Sequence, residues 1–421
     1  MDQVTLPNGL RVVTVPLHDT KAVTVFVFTK VGSRYEQRST NGISHFIEHL
    51  MFKGTTKRPS TLDISKLLDG VGAKYNAFTS KDWTGYYVKI NHEHLPLALD
   101  VVSDMLQHSL FAPKEIERER GVIIEEINMY DDNPTMSIED IFESAVFGDH
   151  HQLGWNIAGP REVIRGVARP TILRFRDQYY HAKNMLIVVA GKLGPSIHQQ
   201  ITKTFRQVKA KPRTPVAKPY RPAAGQPIRL KWKEVEQVQL AVGARAFGYT
   251  DKRLPALTVL ATLLGGNMSS RLFIQVRERR GLAYSVHASV NPYEDTGSFM
   301  IQAGLEKSRV EEALQVILAE LRKLKTAAVS SVELKRTKEY IRGKMILDLE
   351  DSDSIASWYG RQALFYPRIE SPEQALKKVM AVSATDIRRL AKLLFRPAAM
   401  RLAVIGPFKQ EQQFRPLLKL V

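Results

Sequence analysis

The chain has 421 residues, 44% hydrophobic and 25% charged, a balance that builds sizeable cores and excludes a disordered chain. It has no cysteine, which excludes disulfides, thiolate metal sites and a cysteine nucleophile, so any metal site must use His and carboxylate. The formal net charge of +18 comes from Lys and Arg spread along the whole chain without a nucleic-acid-binding pattern; it is read as a solvated basic surface, and nucleic acid is not expected as a partner.

The N-terminus, MDQVTLPNGLRVV, lacks the basic start and apolar run of a secretory signal and the Arg- and Ser-rich character of a transit peptide. No apolar run approaches the length of a membrane span, so the expectation is a soluble, cytoplasmic protein with no membrane partner. Asn8-Gly9 is a hairpin turn signal between two β-prone runs. Ala22 to Lys30 (AVTVFVFTK) reads as a strand. Ile43 to Phe52 has helical character and stops before Lys53-Gly54.

That helix contains His-Phe-Ile-Glu-His at 45–49. Positions four apart share a helix face, so His45 and His49 would point at one ion. Glu48 borders the same face and can accept a proton from water without being a ligand. Neutral imidazoles suit zinc and leave it Lewis-acidic, able to bring the pKa of water down to about 7. The spacing is the inverted form of the zinc-protease helix motif.

Thr61 to Leu68 reads as a helix, Thr84 to Ile90 (TGYYVKI) as a strand, and Leu95 to Leu110 and Lys114 to Tyr130 as helices. In the last of these, Glu119 and Glu126 stand two helical turns apart and share a face, with Val122, Ile123 and Ile127 close to it. A catalytic zinc commonly has three protein ligands and an open position. Glu126 is the candidate third ligand and Glu119 a supporting carboxylate that orients a histidine. Glu125 competes for the ligand role, although helical phase favours Glu126, and Glu119 could instead be an exposed charge among its Arg neighbours. His92 and His94 precede a helix and are read as solvent-exposed, His150 and His151 lie in a polar loop, and neither pair is expected to bind a functional metal.

The first half ends in a helical TILRFRDQYY followed by NMLIVVAG, Asn184 to Gly191. From Lys209 to Pro227 five prolines (Pro212, Pro215, Pro219, Pro222, Pro227) block helix, and the stretch reads as a linker between domains 1–208 and 228–421. The second half ends in TDIRRLAKLLF followed by AMRLAVIG, Ala399 to Gly406. The interval from Met185 to Met400 equals that from Gly191 to Gly406, which points to internal duplication with a fixed offset. In the second half the apolar stretch Leu257 to Leu264 stands in place of the metal helix, so one zinc per chain is expected. The fold class that follows is α+β: two similar halves, each a mostly antiparallel sheet with helices packed on it.

Four stretches resemble the insulinase/pitrilysin family of zinc metallopeptidases, specifically its processing-peptidase branch. They are VGSRYEQRSTNGISHFIEHLMFKGT (Val31 to Thr55), GAKYNAFTSKDWTGYY, LGWNIAGP (Leu153 to Pro160) and SSRLFIQVRERRGLAYSV (Ser269 to Val286). The resemblance covers essentially the whole chain. It implies two halves enclosing a cavity, with zinc on the first held by His45, His49 and Glu126, Glu48 as base and Glu119 in support. It further implies that Asn76, Ala77, Phe78 and Thr79 hold substrate as an added β-strand. In the family an Arg and a Tyr spaced as Arg277 and Tyr284 are reach the substrate near the zinc, and Tyr284 would donate to the developing oxyanion. Trp83 departs from the family pattern, standing after Asp82 where a polar residue is expected. The long glycine-rich loop of the non-catalytic processing subunit is missing, Gly265-Gly266 being only a short turn. The expectation is a zinc endopeptidase that cuts short, unstructured peptides as a homodimer. The alternatives are pairing with an inactive homologue, or a non-catalytic peptide-binding or structural subunit.

Overall fold

The computed structural model describes residues 1–211, 216–222 and 226–421. Pro212 and Pro215 of the proline-rich stretch lie outside the described residues. The first sheet contains β1 (Asp2–Thr5), β2 (Arg11–Pro16), β3 (Ala22–Thr29), β4 (Lys74–Thr79), β5 (Thr84–Asn91) and β6 (Met185–Gly191), in the order β1-β2-β6-β3-β5-β4. The second contains β7 (Ile228–Trp232), β8 (Gln237–Ala246), β9 (Ala283–Pro292), β10 (Gly297–Glu306) and β11 (Met400–Gly406), in the order β7-β11-β8-β10-β9. The helices are α1 (Ile43–Met51), α2 (Thr61–Asp69), α3 (Leu95–His108), α4 (Pro113–Asp132), α5 (Pro134–Phe147), α6 (Arg161–Gly166), α7 (Arg169–Tyr179), α8 (Ile197–Phe205), α9 (Leu254–Gly265), α10 (Val310–Thr326), α11 (Ser331–Asp348), α12 (Ser352–Phe365), α13 (Pro372–Ala381) and α14 (Ala384–Leu394). Among the described residues no helix is long and apolar enough to cross a membrane.

The duplication is visible in the ladders. In each sheet one strand pair is parallel, β2 with β6 and β7 with β11, and the pairings from there to the far edge are antiparallel. Thr29 pairs with Met185, and at the same offset in the second half Ala244 pairs with Met400. The expected N-terminal hairpin is β1–β2, turned by Gly9 at φ 87°.

The chain forms two compact units, and each collects distant segments. One comprises 1–127, 156–218 and 346–369; the other comprises 128–155, 219–345 and 370–421. The composition of β6 explains why. All seven of its residues are buried, as in a strand covered on both faces. On one face of the first sheet Val12, Val25, Val27, Ile187 and Val189 pack with Phe46, Ile47 and Leu50 of α1 and with α3. The other face, Val13, Val15, Phe26, Phe28, Leu186 and Val188, is covered by Ile355, Ala356, Ala363 and Leu364 of α12. The second sheet repeats the scheme. Leu240, Val242, Leu402 and Val404 pack with α9, α10 and α14, while Ala241, Met300, Ala403 and Ile405 are covered by Ile138, Phe142, Val146 and Phe147 of α5. Each sheet is therefore completed by a helix from the other half of the sequence.

Trp83 belongs to this packing. It is buried, its ring edge-on to Phe78 at 4.7 Å and tilted against Phe28 at 5.2 Å. His151, in the polar loop, points inward. It is buried, and its Nδ1 accepts the backbone N–H of Leu153.

Candidate metal centre

The helix α1 starts at Gly42, whose φ of 98° suits glycine; a Cβ there would also lie 2.4 Å from the Ala158 carbonyl oxygen. The AGP end of the Leu153–Pro160 motif thus lies against the start of the helix, and the Asn156 carbonyl accepts from Asn41 Nδ2 at 3.0 Å. Ile43, Phe46, Ile47 and Leu50 anchor the apolar face in the core. His45 and His49, one turn apart, emerge on the side facing α4.

There they meet Glu126. His45 Nε2 and His49 Nε2 are 3.2 Å apart, and Glu126 Oε2 lies 3.6 Å from the first and 3.4 Å from the second. Among the described residues this is the one group of three His, Asp or Glu side chains spaced to share an ion. Ligand atoms about 2.0–2.1 Å from a tetrahedral zinc stand about 3.3 Å from one another, so the donor set fits zinc in spacing and in chemistry. Glu125, the rival ligand, is exposed. Val122 is exposed too and does not join Ile123 and Ile127 beside the site.

Glu119 is buried, 1% exposed, and is no surface charge. Its Oε2 lies 3.1 Å from His49 Nδ1 and its Oε1 2.9 Å from Lys53 Nζ. With Nδ1–H donating to Glu119, the Nε2 lone pair of His49 faces the metal position. Burial alone would raise the Glu119 pKa, but the hydrogen bonds from His49 and Lys53 outweigh it and hold the carboxylate ionised. Burial and the nearby His49 push His45 down to about 4. Burial also acts to lower His49, yet its bonds to Glu119 and Glu126 and the charge of Glu48 carry it up to about 9. A metal and a proton therefore compete for His49.

Glu48 is held apart from the candidate ligands. Its Oε2 accepts the Thr79 hydroxyl at 2.6 Å. Burial raises its pKa, and the Thr79 bond pulls it back. Thr79 ends β4, an edge strand of the first sheet, so the candidate base is tied to the strand that contains Asn76, Ala77 and Phe78. Asn76 is exposed and Ala77 is buried, as alternation along a strand requires.

Arg277 and Tyr284 belong to the second unit. Phe273–Glu278 forms a short π-helix, a rare form frequent at functional sites. The Arg277 guanidinium lies over both Phe273, at 4.9 Å, and Tyr284, at 5.3 Å from the ring centres. Tyr284 is 73% exposed near the start of β9, itself an edge strand. Leu260, Leu263 and Leu264, which stand at the duplication offset from His45, Glu48 and His49, are all buried in the core of α9.

Three parts of the site were missed from the sequence: Lys53 behind Glu119, the Thr79–Glu48 bond, and Glu36, whose carboxylate accepts the Gly42 and Ser44 backbone N–H groups at the start of α1. Lys53 carried a signal only as a basic residue at a helix end. Glu36 carried none, since its partners depend on how the 32–42 segment folds back.

Residues 11–161 match the sequence profile of the insulinase family, peptidase family M16, and residues 167–341 match that of the peptidase M16 inactive domain. An uncharacterised zinc protease of Streptomyces coelicolor is 36% identical over 98% of this chain and 91% of its own length. An uncharacterised zinc protease of Bacillus subtilis is 35% identical over 96% of this chain and 97% of its own. Among solved structures, a protease from Helicobacter pylori superposes with a TM-score of 0.90 at 25% identity, covering 96% of this chain and 99% of that one. A peptidase M16 inactive domain from Pseudomonas fluorescens shares the fold, with a TM-score of 0.89 at 17% identity over 97% and 98% of the two chains. The chain thus belongs to the insulinase family of peptidases, family M16, and its curated relatives are named as zinc proteases.

Proposed function

We propose that this chain is a zinc endopeptidase that hydrolyses short, unstructured peptides and binds one zinc ion through His45, His49 and Glu126. The observation that carries the reading is the three-atom donor set at tetrahedral spacing, beside a carboxylate that is not part of it. A bound zinc supplies Lewis acidity, polarising the scissile carbonyl and making water acidic enough to lose a proton near neutrality. Glu48 takes that proton and returns it to the leaving amine, a role suited by a carboxyl whose pKa burial has raised. Glu119, backed by Lys53, keeps His49 in the tautomer and orientation that a ligand needs.

The free edge of β4 offers main-chain partners to an extended peptide, which favours unfolded substrates and loose sequence preference. By resemblance, Arg277 and Tyr284 contact the same peptide, and the family's enclosed chamber sets the size limit. A chain with its own donor set, base and Arg–Tyr pair is self-sufficient, so the proposed assembly is a homodimer.

The test is a peptide-library digest followed by mass spectrometry, alongside metal analysis. Glu48→Gln is expected to retain zinc and lose about 10²–10⁴-fold in hydrolysis, the range of general acid–base contributions. His49→Ala is expected to lose both zinc and activity. A Glu48→Gln protein that cleaves as fast as the parent removes Glu48 from the mechanism. A parent that holds zinc and cleaves nothing favours the non-catalytic peptide-binding reading, in keeping with the structural likeness to an inactive domain.

A further inference from the structure

Glu36 lies in the segment between β3 and α1 and is 1% exposed. Its Oε1 accepts the Ser44 backbone N–H at 2.8 Å, and its Oε2 accepts the Gly42 N–H at 2.7 Å and Asn41 Nδ2 at 2.9 Å. A buried carboxylate with three donors at the start of a nine-residue helix meets both the unsatisfied N–H groups and the positive end of the dipole there. Ser44 immediately precedes the ligand His45.

The same short segment also grips the turn after β4. Ser33 N–H donates to the Ser80 carbonyl at 3.2 Å and Arg34 N–H to the Lys81 carbonyl at 2.9 Å. Gly32 approaches so closely that a Cβ would stand 2.1 Å from the Ser80 oxygen. The Arg34 guanidinium, 1% exposed, reaches Asp82 Oδ1 at 3.3 Å. Residues 32–36 therefore bind the β4–β5 turn at one end and the α1 N-terminus at the other. Thr79, one residue before that turn, holds Glu48.

The second unit supplies a comparison. Asp251 stands at the duplication offset from Glu36 and likewise accepts the N–H of a helix N-cap residue, Arg253, at 2.9 Å, but it is only half-buried and its other partner is the Arg253 guanidinium at 2.9 and 2.6 Å, not a first-turn N–H of the helix. The corresponding helix α9 has Pro in its first turn, which removes one N–H that α1 presents. The buried carboxylate brace accompanies the helix that carries the donor set.

We infer that Glu36 is a positioning residue: by bracing the first turn of α1 against the β4–β5 turn, it fixes His45 relative to His49 and Glu126, and Glu48 relative to the edge strand. This rests on the zinc-peptidase reading, but its primary readout is metal affinity, which is measured without turnover. Supporting partners of metal ligands are worth about 10–100-fold in affinity or activity.

The experiment compares the full-length parent with Glu36→Gln, which keeps the volume but sets an NH2 group against backbone donors. Zinc affinity is measured by chelator competition, folding by cooperative thermal unfolding of the metal-free proteins, and turnover by kcat and KM on one peptide. The expected result is a cooperatively folded Glu36→Gln protein that binds zinc about tenfold or more weakly. At saturating zinc its kcat is expected to fall about tenfold or more, with KM within about twofold of the parent. A folded Glu36→Gln protein with parental zinc affinity and parental kcat overturns the inference. If Glu36→Gln does not fold, Glu36→Asp keeps the charge and shortens the reach, and is expected to weaken zinc measurably; parental affinity in that variant overturns the inference equally. A parent that binds no zinc instead defeats the underlying functional reading.

Discussion

At the scale of single residues, the site contains two opposed adjustments of one carboxyl. Burial drives the Glu48 pKa up and the Thr79 hydroxyl draws it back down. Thr79→Val removes the hydroxyl while keeping the branched shape that suits a strand. Without that bond the Glu48 pKa moves higher, so the carboxylate form needed to accept a proton is reached only at higher pH. The acidic limb of the kcat profile is therefore expected to shift to higher pH, with little change once Glu48 is fully ionised. A pH–rate series on one peptide checks this, and an acidic limb in its parental position would show that Thr79 does not tune the base. The pairing of His45 and His49 on one helix face was legible in the sequence because helical spacing is local. Glu126 was legible by its phase with Glu119. Glu36 and Lys53 were not, because each meets its partner only after the chain has folded back on itself, and neither stands in a periodic pattern.

At the scale of elements, α12 lies on the first sheet through Gly360. A Cβ at that position would stand 2.1 Å from the Phe28 ring. Alanine in place of glycine in a helix interior ordinarily stabilises by about 1 kcal/mol. Here the ring is fully buried and stacked on Phe26 at 4.1 Å, so it has little room to yield. Overpacking of this kind costs about 1–3 kcal/mol, and the clash outweighs the helix gain. Gly360→Ala is expected to lower the melting temperature by several degrees, read by circular dichroism; a higher melting temperature would mean that α12 does not approach β3 as closely as described. The strands and helices of the first half were largely legible, Ala22–Thr29 and Thr84–Asn91 nearly to the residue, because alternation and apolar runs are properties of short windows. The cover over the second face of each sheet was not. The apolar run of β6 announces burial on both sides, but nothing in its sequence says which helix supplies it.

At the scale of the whole molecule, duplication was readable from two helix–strand endings that repeat at one fixed offset, and the shared strand order and register agree with it. The exchange of α5 and α12 was not readable, since nothing in the apolar pattern of either helix says which sheet it covers. It predicts how fragments behave. A chain of residues 1–208 keeps β1–β6 but lacks α12, leaving Phe26, Phe28, Leu186 and Val188 uncovered. Such a fragment is expected to aggregate when produced alone, and to become soluble when residues 228–421 are produced with it. Size-exclusion chromatography of the two preparations decides, and a monomeric, cooperatively melting 1–208 fragment would contradict the arrangement.

The position of α12 also sets a timetable for biosynthesis. The last strand of the first sheet is complete at Gly191, yet the helix that closes its second face ends at Phe365. At translation rates of about 5–20 residues per second, the nascent chain keeps an apolar sheet face open for roughly 9–35 s. During that interval the growing polypeptide is a ready client for holding chaperones, and the burden falls on the unit that contains the candidate metal centre.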